Sequence, residues 1–213
     1  MNNAHIVNPI LILMFAFVTI LCATGCRRRS PGSGGHAVQP PLSGKKILMV
    51  IAPRQFRDEE LFVPREYFMV RGATVTVACS ATGRINGMMG RSFSPDAKLA
   101  EVSVVDFDAV IFVGGAGAEA YFDDPVAHKL ARDADSGGKV LGAICIAPAI
   151  LANSGVLKGR SATTFATVRE ILVAGGARVM DSSCVREGMI ITADGPAAAE
   201  EFADAVTKAL TEN

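Results

Sequence analysis

Lys139-Val-Leu-Gly-Ala-Ile-Cys145-Ile-Ala-Pro148 is the stretch whose reading decides the fold. An apolar run rich in β-branched residues breaks off at a cysteine, with small residues (Ala143, Ala147) two positions away on each side. That pattern predicts a nucleophile elbow, a strand turning sharply into a helix with the reactive side chain at the apex. The tight turn excludes bulk at those flanking positions, and Pro148 suits the first helical turn, where its missing N–H costs little. A buried Cys at the end of a core strand also serves plain packing. If the elbow forms, backbone N–H groups and the helix dipole favour the thiolate, so the Cys145 pKa is expected well below the ~8.5 of a free thiol.

Working outward, Lys46–Ala52, Ala73–Cys79 and Asp108–Val113 read as further buried strands. Asp58–Arg71, Asp124–Ala134, Ala147–Ser154 and Ala197–Leu210 read as helices, with Asp58 and Asp194 as N-caps. Gly83–Ala97 reads as turns or a short hairpin, and Ala177–Cys184 and Met189–Thr192 as closing strands. Strands that are apolar throughout and alternate with helices imply an α/β fold. The expected architecture is a flavodoxin-like three-layer sandwich, a mainly parallel sheet with helices on both faces. Its working site lies beyond the carboxyl ends of the strands. The loops after Ala52, Val113 and Ile144 meet at that edge.

The first of these loops brings Arg57-Asp58-Glu59-Glu60. An acidic first turn complements the helix dipole. Glu60 stands apart because Pro64, four residues on, cannot donate to its carbonyl, so a kink is expected there. A carboxyl beside a thiol in an apolar cleft has its pKa raised and can move protons near neutrality. The Gly114-Gly115-Ala116-Gly117 turn fits a loose dinucleotide fingerprint, but it follows the wrong strand and the next strand ends in Cys145, not a ribose-binding acid. Its better use is as an anion hole, with the N–H groups of Gly115 and Ile146 as donors.

Outside the domain, Ile10–Leu21 is an uncharged apolar stretch ending at Cys22-Ala-Thr-Gly-Cys26, followed by three arginines. Residues 1–26 are expected to be a signal peptide, a lipoprotein signal lipidated at Cys26, or a membrane anchor. The first two place the protein in the cell envelope or outside the cell. Arginines after the apolar run instead favour an anchor with its N-terminus outside and the domain at the cytoplasmic face. Every version attaches or directs the chain to a membrane. Residues 27–44, rich in Gly, Pro and Ser, read as a flexible linker, and 45–213 as one domain. With 21 basic and 21 acidic residues, nothing favours nucleic acid. Cys79, Cys145 and Cys184 match no zinc spacing, and no metal or cofactor is expected. Of three histidines, His5 and His36 precede the domain and His128 sits in a helix, so a Cys–His pair has no evident second member.

The chain resembles the ThiJ/PfpI superfamily, including its parkinsonism-associated deglycase branch, within the class I glutamine-amidotransferase-like fold. The likeness rests on Glu60-Leu-Phe-Val-Pro64, Val113-Gly-Gly115, Ala143-Ile-Cys145-Ile-Ala-Pro148, Gly155-Val-Leu-Lys-Gly159 and Asp194-Gly-Pro196 in that order. It implies Cys145 as nucleophile, Glu60 as the acid beside it, Gly115 and Ile146 as backbone donors, Glu119 as an accessory residue, and a homodimer. Ile146 and Phe165 stand where relatives carry histidines. The implied activity is glyoxalase III- or deglycase-like chemistry on a small carbonyl compound. The alternatives are a PfpI-type cysteine peptidase or amidase, and a redox-responsive or chaperone-like protein whose Cys145 is oxidised.

Overall fold

The computed structural model describes residues 39–212. The expected signal or anchor, Cys26 with its lipidation, and residues 27–38 of the expected linker lie outside the described residues. Among the described residues no helix is long and apolar enough to cross a membrane.

In chain order the elements are β1 (Lys46–Val50), α1 (Asp58–Val70), β2 (Thr74–Cys79), β3 (Ile85–Asn86), β4 (Ser92–Phe93), β5 (Ala97–Lys98), β6 (Ala109–Phe112), α2 (Pro125–Ser136), β7 (Val140–Ile144), α3 (Pro148–Asn153), β8 (Ser161–Ala162), α4 (Arg169–Ala174), β9 (Arg178–Val179), β10 (Cys184–Glu187), β11 (Ile190–Ala193) and α5 (Ala199–Thr211). The main sheet runs β10-β11-β7-β6-β1-β2-β5, parallel except for β10 on β11. Every residue of β6, β7 and β11 is buried, because helices cover both faces of a parallel sheet. Helices α1 and α5 pack together as one layer, and α2, α3 and α4 as the other. Gly142, mid-β7, makes room for α5: a Cβ there would lie 2.7 Å from the Phe202 ring. The doubly wound α/β architecture is the expected one.

Several local readings need correction. Ala177–Cys184 is not one strand: β9 leaves the main sheet to pair with β8, and the polar run 181–183 bends before β10 begins. Asp58 is not an N-cap, since Arg57 holds that position and Asp58 bonds elsewhere; Asp194 caps nothing, and α5 starts at Ala199 after a 3₁₀ turn. Helix α4 was not expected. Helix α1 runs through Pro64, in keeping with the expected span from Asp58.

The domain also begins earlier than Lys45. Leu42 is fully buried and its N–H bonds the Arg71 carbonyl at 2.9 Å. Leu42→Ala is therefore expected to cost roughly 2–5 kcal/mol, the range for a core leucine. A chain starting at Gln39 should melt like the parent, and one starting at Lys45 well below it; equal melting of the two by calorimetry would place Leu42 outside the core.

Candidate active site

Strand β7 delivers Cys145 to the carboxyl edge of the sheet and α3 leaves from it. Between them Cys145 adopts φ 63, a left-handed conformation uncommon for a side-chain-bearing residue. Neighbours fix it there. Its N–H bonds the Ala193 carbonyl at 2.9 Å, while its own carbonyl accepts from Phe165 N–H and Thr164 Oγ1, both at 2.9 Å. Ala143 and Ala147 are fully buried on either side, as the elbow requires.

Glu60, in the first turn of α1, is also fully buried. Its Oε2 accepts from Gly114 N–H at 3.1 Å. Oε1 makes no hydrogen bond of strict geometry, yet the Cys145 thiol lies close enough to act on the titration of the carboxyl. Gly114 is the spacer: a Cβ built on it would fall 2.5 Å from Glu60 Oε2 and 2.6 Å from Cys145 Cβ. The adjoining glycines are equally constrained. Gly115, at φ 97, has the Arg57 backbone nitrogen 2.3 Å from where its Cβ would be, and Gly117 has the Arg54 carbonyl there. This turn is therefore threaded against residues 54–57, and the N–H groups of Gly115 and Ile146 both favour the ionised form of the Cys145 thiol.

Burial raises the Glu60 pKa from its ordinary 4.5 to about 7, against the lowering pull of the thiol, Gly114 N–H and Arg57. The Cys145 thiol is pushed up to about 12, first by burial and then by the Glu60 charge, with Gly115 and Ile146 N–H pulling the other way. The depressed cysteine pKa expected from the elbow is thereby overturned. Helix α3 has only six residues, and burial with a carboxyl in front outweighs it. The two groups titrate as a pair that loses its first proton near 7.

Folding is linked to this titration. The native carboxyl binds its proton more tightly than the unfolded one, so stability falls as pH rises from about 4.5 through about 7. At 1.36 kcal/mol per unit, the loss attributable to Glu60 is on the order of 3 kcal/mol. Urea titrations at pH 5 and pH 8 should show it in the wild type and lose most of it in Glu60→Gln; an unchanged slope in the variant would assign the dependence elsewhere.

The pair opens into a cleft of about 410 Å³ lined also by Arg57, Met88, Glu119, Phe165 and Pro196. Of the site residues expected from sequence, Cys145, Glu60, Gly115 and Ile146 converge, and Glu119 reaches only the exposed rim. Sequence reasoning missed how Met88 arrives. The buried Asp58 carboxylate accepts Met89 N–H and Arg91 N–H, both at 2.8 Å, and so holds the β3–β4 turn over the cleft. Only the Gly87-Met-Met-Gly90 turn signal hinted at it. His128, the one histidine among the described residues, bonds the Phe122 carbonyl at 2.7 Å from helix α2 and does not line the cleft.

Residues 45–209 match the DJ-1/PfpI family. The chain belongs to that family. Among DJ-1/PfpI relatives, it is 30% identical to the glutathione-independent glyoxalase DJR-1.2 of Caenorhabditis elegans, over 78% of this chain and 89% of that one. It is 32% identical to the deglycase PfpI of Pyrococcus furiosus, over 71% and 90% respectively. The crystal structure of a ThiJ/PfpI domain protein from Brachyspira murdochii superposes with a TM-score of 0.78 at 32% identity, covering 80% of this chain and 99% of that one. The DJ-1/PfpI assignment and the flavodoxin-like architecture thus agree with the reading of the sequence.

Proposed function

We propose that this protein converts small 2-oxoaldehydes to 2-hydroxy acids through Cys145 and Glu60, without a cofactor. The observation that carries the reading is a buried thiol beside a buried carboxyl that titrates near neutrality, with the N–H groups of Gly115 and Ile146 favouring its anion. The glyoxalase and deglycase names of the relatives support it.

In this mechanism ionised Glu60 takes the thiol proton as Sγ bonds the aldehyde carbon, and passes it to the former carbonyl oxygen to give a hemithioacetal, leaving the carboxylate free again. Glu60 then removes the proton on that carbon and returns one to the adjacent carbon, so the carbon bonded to sulfur becomes the carbonyl of a thioester. As that carbonyl forms, the hemithioacetal hydroxyl gives up its proton and the neighbouring ketone oxygen takes one, so the ketone becomes an alcohol. Water cleaves the thioester, releasing the hydroxy acid and restoring the thiol. No external oxidant or reductant is consumed. The N–H groups of Gly115 and Ile146 serve the oxygen that gathers negative charge in these steps.

Peptide cleavage suits the site less well, because the usual Cys–His pair has no second member: His128 lies outside the cleft. The test is purified protein with methylglyoxal and, separately, casein, each against Cys145→Ser. The expected result is lactate formation that the variant lacks and no thiol-dependent proteolysis. Equal methylglyoxal consumption by both proteins would overturn the reading, and cleavage of casein by the wild type alone would replace it with a peptidase.

A further inference from the structure

We propose that the substrate seated in this cleft is a 2-oxoaldehyde with an extended apolar substituent, held against Met88, Ile146, Phe165 and Pro196. The inference rests on the carbonyl chemistry proposed above and names its substrate class. At about 410 Å³ the cleft falls within the roughly 300–1,000 Å³ that hold drug-sized ligands, and methylglyoxal would leave most of it to water.

The apolar wall is built, not incidental. Met88 N–H bonds the Phe56 carbonyl at 2.9 Å, and the Asp58 carboxylate anchors the turn just after it through the N–H groups of Met89 and Arg91. Its thioether sulfur accepts from Ala116 N–H at 3.3 Å, in the glycine-rich turn beside the nucleophile. Opposite, Phe165 is tied through its N–H to the Cys145 carbonyl, with Gly195 close against its ring. These two side chains remain 43% exposed each, which is the surface an apolar substituent would cover.

The charges around the cleft leave this wall free. The Arg57 guanidinium is held by Glu59 through Nε at 2.8 Å and Nη2 at 3.3 Å, so its charge is compensated locally. Glu119 sits at the exposed rim, where it disfavours an anionic tail. An uncharged alkyl or aryl group meets no such penalty.

The test compares methyl-, propyl- and pentylglyoxal. Each buried methylene gains about fourfold in binding, so kcat/KM should climb by roughly 15-fold per two-carbon step until the cleft is filled. Met88→Asp and Phe165→Asp, at half-exposed positions that tolerate polarity, should flatten the series. A second readout needs no turnover: butanal, hexanal and octanal as reversible protectants of Cys145 against iodoacetamide, with protection strengthening along the series. If no 2-oxoaldehyde is consumed but protection still strengthens with length, the chemistry fails and the apolar seat stands. If methylglyoxal is consumed while both series are flat or falling, the seat is wrong and the chemistry stands.

Discussion

Glu60→Gln is expected to lower carbonyl turnover by about 10²–10⁴-fold, the contribution of a positioned proton-transfer group, while the thiol becomes easier to alkylate. Glutamine keeps an oxygen for Gly114 N–H but cannot carry a proton between carbons. It also removes the negative charge that helps push the Cys145 thiol up to about 12, so iodoacetamide labelling at pH 8 should speed up as turnover collapses. A merely structural role for Glu60 would move both readouts down together. In the wild type, turnover should rise with pH through about 7, where Glu60 gives up its proton and becomes a base. Turnover retained in Glu60→Gln with an unchanged pH profile would remove Glu60 from the mechanism.

The second large effect is expected at a residue with no side chain. Gly114→Ala puts a methyl group 2.5 Å from Glu60 Oε2, 2.6 Å from Cys145 Cβ and 2.7 Å from the Ile144 carbonyl. None of these can retreat cheaply: the carboxyl is buried and hydrogen-bonded, and the other two belong to the elbow. Overpacking of this kind costs roughly 1–3 kcal/mol or more, and an ångström of misplacement at reacting groups costs on the order of 10²-fold in rate. Thermal unfolding should shift down and kcat/KM should fall by about two orders of magnitude. A variant with wild-type kinetics would mean that the spacing between thiol and carboxyl is not set here.

The parts legible in sequence were those with local signatures. Strands β1, β6 and β7 are short apolar runs, and the Ala-x-Cys-x-Ala spacing at 143–147 marks a turn that tolerates no bulk. Glu60 stood out because Pro64 follows it at helical spacing. What escaped the sequence was whatever depends on distant segments meeting. Asp58 reads as a helix cap, and only the fold brings residues 89 and 91 to its carboxylate. The cysteine pKa went the wrong way for the same reason. The donors and the neighbouring carboxyl were both legible, whereas the depth of burial, which outweighs the donors, and the repulsion from an ionised Glu60 emerge only in the folded site. Leu42 was lost in a Gly/Pro/Ser composition that hid a single core contact.

The backbone of Cys145, at φ 63, also bears on how this position drifts under mutation. A side-chain-bearing residue held in the left-handed region carries about 1–3 kcal/mol of strain, and glycine there carries almost none. Substitution toward glycine relieves that strain but gives up a buried side chain and, under the function proposed here, the chemistry with it. Relief and loss are of similar size, so little in the stability of the fold guards the thiol. A population that must clear reactive carbonyls should keep it at every round, and the chemistry alone then holds this codon.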